Sequence, residues 1–203
     1  MRAVPFADVV ARIAQLETLT ASSLGQTPPA APSVSLGGLD FARALAVASS
    51  TTAAPAAAAG GPATGIVAAA ESQVGQAEQP PGSNDGPAVA MYRSAVAGAQ
   101  PGEPWCAYFA SWSAAQAGTP LGDAGAGLGS VAGIADWAQR TGRYLPAGSP
   151  PQPGDLMLFG DRHVGIVESV NPDGSLTTLE GNYDQAVSRV NRMPSEATGF
   201  VRL

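Results

Sequence analysis

The chain of 203 residues contains a single cysteine, Cys106, and a single histidine, His163. A lone cysteine is commonly a small buried hydrophobic residue, and a lone histidine is commonly structural. Cys106, however, follows Pro104–Trp105 and opens the predicted helix CAYFASWSAAQAG. The N-terminus of a helix carries the positive end of the macrodipole, which favours the nucleophilic thiolate form of a cysteine. Unpaired backbone N–H groups at the same terminus could also hold an oxyanion. The position therefore favours a catalytic thiol.

His163 follows Gly160–Asp161–Arg162 and begins the apolar segment HVGIVESV, which is predicted to be a central strand. A histidine at the mouth of such a strand can project its imidazole toward a facing helix terminus. The strand that returns from the NPDG hairpin contains Glu180 and Asn182, which share one face by parity and fall beside the start of the His163 strand. A carboxylate or an amide there could orient the imidazole by bonding one ring nitrogen, as in thiol-hydrolase triads. The residues leave open which of the two does so.

The composition excludes several other functions. The net charge is −6, and all ten basic residues are arginine. An acidic chain without a basic stripe is a poor nucleic-acid binder, because phosphate neutralisation needs clustered Lys or Arg. One cysteine excludes an intramolecular disulfide framework, and one cysteine with one histidine excludes Cys/His-rich zinc sites. No apolar run approaches the roughly 18 residues of a membrane span, so no transmembrane helix is expected.

The order of the predicted elements indicates the fold class. Helical spacing predicts helices in TGIVAAAESQVGQ (with Thr64 as N-cap), AVAMYRSAVAG (closed by Gly98), CAYFASWSAAQAG and SVAGIADWAQRTG. Strands are predicted in PQPGDLMLFG, HVGIVESV, SLTTLEGN, AVSRVNR and GFVRL. Helices first and antiparallel strands second predict an α+β domain over residues 63–203, which is long enough to bury its own core.

The first 62 residues have a different character. Residues 1–22 carry one apolar stripe at helical spacing, which predicts a short amphipathic helix: Phe6, Val9, Val10, Ile13, Leu16 and Leu19. This helix is either a frayed arm or a docking arm for another protein. It is not a secretory signal, because Asp8 and Arg12 interrupt the apolar core that a signal needs. Residues 23–62 are rich in Ala, Pro and Ser and predict a flexible linker. An island around Phe41 in that linker is a second docking patch or merely a sticky stretch.

Three motifs resemble one known family. The segments PWCAYFASW, PGDLMLFGDRHVGIVESV and LEGN, in this order, are similar to the CHAP domain, the cysteine- and histidine-dependent amidohydrolase/peptidase module. The resemblance covers residues 64–203 and implies a papain-like α+β fold that cleaves peptidoglycan peptides. It implies that Cys106 is the nucleophile and His163 the general base, and that Glu180 and Asn182 form the pair that supports the histidine. It also matches Pro153–Gly154–Asp155 to the turn that introduces the first strand of the motif.

The chain departs from some members of this family in one respect. Certain relatives bind calcium through an acidic loop just before the cysteine, whereas the matching stretch here, residues 99–105, offers only Glu103. No metal and no other cofactor is therefore expected. The implied reaction is acyl transfer from an amide to Cys106 and then to water. The amide is either N-acetylmuramoyl–L-alanine or a bond of the stem or cross-bridge peptide, and the sequence does not decide between them.

The N-terminal part has a weaker resemblance of its own. A short helix of the form ARIAQLETL, a Pro/Ala spacer and an F-A-x-x-L island before a wall hydrolase are similar to proteins of actinobacterial flagellar loci. This implies a protein of the cell wall or the extracellular space that is exported by the flagellar apparatus and docks to a flagellar or other protein partner through residues 1–48. The chain itself is expected to be a monomer. Non-classical export, phage-mediated release and a mis-set start codon are other routes. The alternative functions are an inactive wall-binding or rod-associated module and an intracellular thiol peptidase.

Overall fold

The structure is a computed structural model that describes residues 61–203. The predicted helix of residues 1–22, the island around Phe41 and all but the last two residues of the predicted linker lie outside the described residues. Within residues 61–203, no helix is long and apolar enough to cross a membrane.

Four α-helices precede a six-stranded sheet in the described part of the chain. The helices are Pro62–Glu71 (α1), Pro87–Arg93 (α2), Cys106–Gln116 (α3) and Val131–Arg140 (α4). The strands are Tyr144–Pro146 (β1), Leu156–Phe159 (β2), His163–Val170 (β3), Leu176–Tyr183 (β4), Ala186–Arg192 (β5) and Gly199–Val201 (β6). Two short 3₁₀ helices, Asp123–Gly125 and Pro194–Glu196, complete the elements. The α+β fold class is therefore confirmed.

The sheet is antiparallel, with the strand order β1-β6-β2-β3-β4-β5. This order makes β3 an interior strand, in agreement with its apolar sequence. The register pairs Phe159 with His163 at the end of the β2–β3 hairpin and Ile166 with Leu179 between β3 and β4. The partner of Glu180 across β3 is thus Gly165, two residues beyond His163. A bulge interrupts the pairing of β4 with β5 between Glu180 and Tyr183.

Helix α3 lies at the centre of the helical layer and packs on β3, β4, α1 and α2. Every side chain from Cys106 to Ala114 is buried, which explains why the helix shows no polar face. A Cβ at Gly181 would lie 2.5 Å from the Cβ of Phe109, so this position of β4 must be glycine for α3 to approach so closely. Burial of a side chain such as Phe109 contributes about 1.5–3 kcal/mol. The close approach fixes the start of α3 relative to the sheet.

Several element boundaries differ from those predicted. Helix α1 begins at Pro62 with Gly61 as N-cap, so the prediction of Thr64 as N-cap is wrong. Proline suits the first helical position because its missing N–H has no helical partner there. Helix α2 ends at Arg93 rather than near Gly98. Strand β1 was not predicted, because its 3 residues are too few to show an alternating pattern.

Candidate active site

Cys106 is the first residue of α3 and is 95 % buried, with 5 % of its surface exposed. No side chain caps this helix, and its N-cap residue is Trp105. The buried indole of Trp105 donates its Nε1–H to Oε1 of Glu78 over 2.9 Å, which anchors the residue before the thiol. The backbone N–H groups at the start of α3 are consequently available to a bound group beside the sulfur.

His163 is the first residue of β3, and its imidazole contacts the carboxylate of Glu180 on β4. The distance between His163 Nε2 and Glu180 Oε2 is 2.7 Å. The bond to the carboxylate leaves Nδ1 as the ring nitrogen that can serve the thiol of Cys106. The side chain of Cys106 lies close enough to the imidazole to raise the pKa of His163. The structure thus brings together the cysteine, the histidine and the carboxylate that the sequence singles out.

Glu180 is fully buried, and its carboxylate is held by four donors. Arg192 donates from Nε to Oε1 over 2.9 Å and from a terminal nitrogen to Oε2 over 2.8 Å. The hydroxyl of Thr178 donates to Oε1 over 2.6 Å, and His163 bonds Oε2. A Cβ at Gly165 would lie 2.9 Å from Cγ of Glu180, so glycine opposite the carboxylate leaves it room. The side chain of Glu180 therefore has one fixed orientation toward the imidazole.

The neighbours of these groups set their charge. Burial raises the pKa of Glu180, but the hydrogen bonds from Arg192, His163 and Thr178 outweigh it and bring the pKa to about 2. Burial likewise lowers the pKa of His163, but the side chains of Cys106 and Glu180 outweigh it and raise the pKa to about 9. At neutral pH the carboxylate is therefore ionised and the imidazole protonated.

Asn182 takes a different place from Glu180, although the two share a face by parity. Asn182 lies in the bulge of β4 with a φ of 58°, so regular alternation ends before it. The Asn182 amide lies between the backbone N–H of Trp105 and Oε1 of Glu78, and its hydrogen-bonding partners assign its orientation. In that orientation the amide oxygen accepts from Trp105 N–H over 3.1 Å and the amide nitrogen donates to Glu78 over 3.2 Å. Asn182 thereby ties β4 to the segment that precedes Cys106, while Glu180 bonds the imidazole.

Two cavities of about 310 Å³ each flank the reactive pair. The Cys-side cavity is lined by Glu103, Pro104, Cys106, Ala107, Tyr108, Gly129, Ser130, Val131, Asp161 and Arg162. The His-side cavity is lined by Phe159, Arg162, His163, Asn182, Tyr183, Asp184 and Arg192. Arg162 is the one residue that lines both cavities.

The one acidic residue of the loop before Cys106, Glu103, is hydrogen-bonded to neighbouring residues of the chain. Glu103 accepts a hydrogen bond from the hydroxyl of Tyr108 and another from the backbone N–H of Gln100. Within the part of the chain that the structure describes, no three His, Cys, Asp or Glu side chains are grouped as metal ligands. Asp155, in the turn Pro153–Gly154–Asp155, instead forms an ion pair with Arg202 at 2.8 Å, which fastens the start of β2.

Three residues that contact the site were not predicted from the sequence. Arg192 reaches Glu180 from β5, and only the register of the sheet places it there. Glu78 lies in the connection between α1 and α2 and carries no local signal of its contact with Trp105. Thr178 does carry one, because it stands two residues before Glu180 and so points to the same face of β4.

The fold and the site define a class of protein: an α+β domain with a thiol at a helix start, served by a histidine and a carboxylate from adjacent strands. Residues 98–182 match the family model of the CHAP domain. This range, less than half of the chain, contains Cys106, His163, Glu180 and Asn182 and ends before Arg192. The match supports a CHAP domain in this part of the chain. No curated protein and no solved structure matches the chain.

Proposed function

We propose that this protein hydrolyses an amide bond of peptidoglycan with Cys106 as nucleophile, His163 as acid and base, and Glu180 as the group that orients the histidine. The observation that carries the proposal is the contact of 2.7 Å between His163 and Glu180 beside Cys106. The only cysteine and the only histidine of the chain lie at this one point. The CHAP match supports the substrate class, because CHAP domains are typically amidases or peptidases that act on peptidoglycan.

The first half of the reaction forms an acyl-enzyme. The sulfur of Cys106 attacks the amide carbonyl carbon, a C–S bond forms, and the carbonyl oxygen becomes an oxyanion. Backbone N–H groups at the start of α3 are placed to stabilise that oxygen. The oxyanion then collapses, the C–N bond breaks, and His163 gives its proton to the leaving nitrogen. The products of this half are a free amine and a thioester on Cys106.

The second half restores the enzyme. His163, now neutral, takes a proton from a water molecule, whose oxygen attacks the thioester carbon. A C–O bond forms and the C–S bond breaks, so Cys106 leaves as the thiolate and the product is a carboxylic acid. Throughout both halves Glu180 stays ionised, because Arg192 and Thr178 hold its charge. The carboxylate fixes the ring and stabilises the imidazolium, as in other nucleophile–histidine–acid triads.

The bond that is cut is found by digesting purified peptidoglycan with the full chain and analysing the fragments by mass spectrometry. A new N-terminal L-alanine identifies cleavage of the N-acetylmuramoyl–L-alanine amide, and a new stem or cross-bridge terminus identifies an endopeptidase. The Cys106→Ser variant, digested in parallel, controls for contaminating hydrolases. Unchanged peptidoglycan with the wild-type chain would refute the proposal. Cleavage of a folded or unfolded protein substrate instead would support an intracellular thiol peptidase.

We also propose where the protein acts and what it docks to, and this part of the proposal rests on the amino-acid sequence alone. The stripe of residues 1–22 and the island around Phe41 support docking to a protein partner, and the flagellar resemblance supports a role in passage of the rod through the wall. Export by the flagellar apparatus would deliver the enzyme to its substrate in the wall. An inactive binding or rod-associated module is less well supported, because such a module has no need of a charged and hydrogen-bonded Cys106–His163–Glu180 group.

A further inference from the structure

Arg162 differs from the other arginines of residues 61–203 in having no polar side-chain partner there. Five of these arginines form ion pairs: Arg93, Arg140, Arg189, Arg192 and Arg202. Arg143 instead donates to the carbonyl of Arg202 and lies over the ring of Trp137. Arg162 forms neither kind of contact with any described residue. Its charge is therefore available to a ligand.

The position of Arg162 makes this charge relevant to the reaction. The residue directly precedes His163, at the end of the β2–β3 hairpin, and its side chain is exposed. It lines both the Cys-side cavity and the His-side cavity. A substrate that occupies either cavity therefore lies beside Arg162.

The charges of the two cavities differ. Two acids, Glu103 and Asp161, accompany Arg162 in the Cys-side cavity, so an anion there would meet repulsion. In the His-side cavity the only acid is the exposed Asp184, which forms no bond to Arg162. Arg192 also lines this cavity, but Glu180 and Glu196 already neutralise it. Arg162 is thus the cation that the His-side cavity offers to an anionic group.

The chemistry assigns a part of the substrate to the His-side cavity. His163 protonates the leaving nitrogen, so the leaving amine and the groups attached to it lie against the imidazole. We infer that Arg162 binds a carboxylate of the leaving-amine fragment, which makes the enzyme specific for peptides with a free acid on that side of the cleaved bond. This inference rests on the proposed function. A guanidinium suits this task, because its planar donors match a carboxylate in two parallel hydrogen bonds.

The test compares synthetic muropeptides whose peptide carboxyl groups are all free or all converted to carboxamides. Two half-amidated substrates place the free carboxylates on the leaving side only or on the acyl side only. The wild-type full chain is expected to prefer the free acid by about tenfold in kcat/KM, the effect of one charged hydrogen-bonded contact. The leaving-side acid alone should keep this preference, and the acyl-side acid alone should not.

Two variants that each remove one positive charge distinguish binding by Arg162 from a general effect of the protein's net charge. Arg162→Gln should reduce the preference to about onefold, whereas Arg140→Gln, an exposed arginine on α4 paired with Asp123, should keep it. A wild-type preference that persists in Arg162→Gln, or that follows the acyl side, would overturn the inference. If the wild type cleaves none of the four substrates, the proposed function fails. Calorimetric binding of the same peptides then decides: preferential binding of the leaving-side acid, lost in Arg162→Gln, supports the inference, and equal or absent binding overturns it.

Discussion

Arg192 and Glu180 form a two-pronged ion pair behind the imidazole, with Nε and a terminal nitrogen each within 2.9 Å of a separate carboxylate oxygen. The guanidinium also lies over the rings of Phe159 and Tyr183, at 4.7 Å and 5.2 Å from their centroids. Phe159 in turn pairs with His163 in the sheet register. Arg192 therefore holds the Glu180 carboxylate in place through the ion pair and packs against the aromatic rings beside His163. It contacts none of the atoms that would react.

Replacing Arg192 with Met should lower both stability and activity. The change leaves the fully buried Glu180 carboxylate without its strongest counter-charge, and breaking a buried ion pair from one side costs about 3–5 kcal/mol. Thermal or urea unfolding measures this loss. Arg189→Met on the same strand is the matched control, because its ion pair with Glu168 is surface-exposed and worth about 0–1 kcal/mol. Equal destabilisation by both changes would contradict the role given to Arg192.

The conservative variant Arg192→Lys separates positioning from mere stability. Lysine keeps the charge but cannot make two parallel bonds to one carboxylate, so the variant should fold and lose kcat. The pKa of Glu180 should rise, because Arg192 is the largest cause that lowers it. The acid limb of the rate profile should accordingly move to higher pH. An unchanged profile together with reduced activity would show that Arg192 acts only on folding.

The sequence predicts the elements that carry the chemistry better than their mutual contacts. The predicted segments HVGIVESV and AVSRVNR coincide with β3 and β5, and the predicted helix that opens at Cys106 coincides with α3. These elements are predictable because each is a continuous run of suitable residues between turn residues. Cys106 and His163 stand out because each is the only residue of its type. Glu180 follows from counting back along a hairpin, which is also a local argument.

Contacts that depend on register or on irregular backbone leave no such pattern. Arg192 is one of several arginines, and nothing in AVSRVNR distinguishes it from Arg189, which points to Glu168 instead. Asn182 is expected beside the histidine by parity, but the bulge of β4 turns it toward Trp105 and Glu78. A bulge is one extra residue in a strand, and no feature of LEGNY marks it.

The nucleophile and the base are tested directly by Cys106→Ser and His163→Ala. Both variants should fold, since serine nearly preserves the volume of the thiol and His163 lies at the end of its strand. Both should lose hydrolysis of muropeptides by a factor of about 10³ or more, as when a residue of another catalytic triad is removed. In Cys106→Ser the reason is that a hydroxyl is a far weaker nucleophile than a thiolate. In His163→Ala the reason is that the proposed acid and base is gone. Circular dichroism checks the fold and chromatography of muropeptides the activity. Substantial hydrolysis by either variant would remove the triad.

The rate of hydrolysis, measured against pH, should fall as the pH rises through about 9. In the proposed mechanism the protonated imidazole donates to the leaving nitrogen. Cys106 and Glu180 raise the pKa of His163 to about 9, above its usual 6.5. Stability from this raised pKa is fully present below pH 6.5 and is lost as pH rises through about 9. Glu180 acts at the other end, since the stability from its lowered pKa is lost as pH falls from 4.5 through about 2.

The same titration can be observed without turnover. His163 is the only histidine, so one imidazole signal in an NMR spectrum reports its protonation. The midpoint should lie near 9 in the wild type and move toward 6.5 in Glu180→Gln, which removes one of the two charges that raise it. A wild-type midpoint near 6.5 would contradict the protonation of His163 at neutral pH, even if the enzyme proves active.

Activity should survive a calcium chelator. The stretch of residues 99–105 offers a single carboxylate, Glu103, and the hydroxyl of Tyr108 and the N–H of Gln100 already bond it. Calcium needs six to eight oxygen ligands, of which several are usually carboxylates. The rate on soluble muropeptides is measured with and without EDTA. A loss that added calcium restores would show that ligands come from elsewhere in the chain.

Deletion of residues 1–60 should leave hydrolysis of soluble muropeptides nearly unchanged and reduce cleavage of the wall in cells. The first expectation follows because Cys106, His163 and Glu180 lie in or beside a hydrophobic core that residues 61–203, the described part of the chain, already form among themselves. The second follows from charge: residues 61–203 contain seven arginines and thirteen acids, a net charge of −6, and so are not attracted to a polyanionic wall. Under the proposal, a partner that binds residues 1–48 supplies the targeting by raising the local concentration of the enzyme at the wall. Loss of activity on soluble substrates would place the N-terminal residues in the catalytic unit, and full function in cells would show that they target nothing.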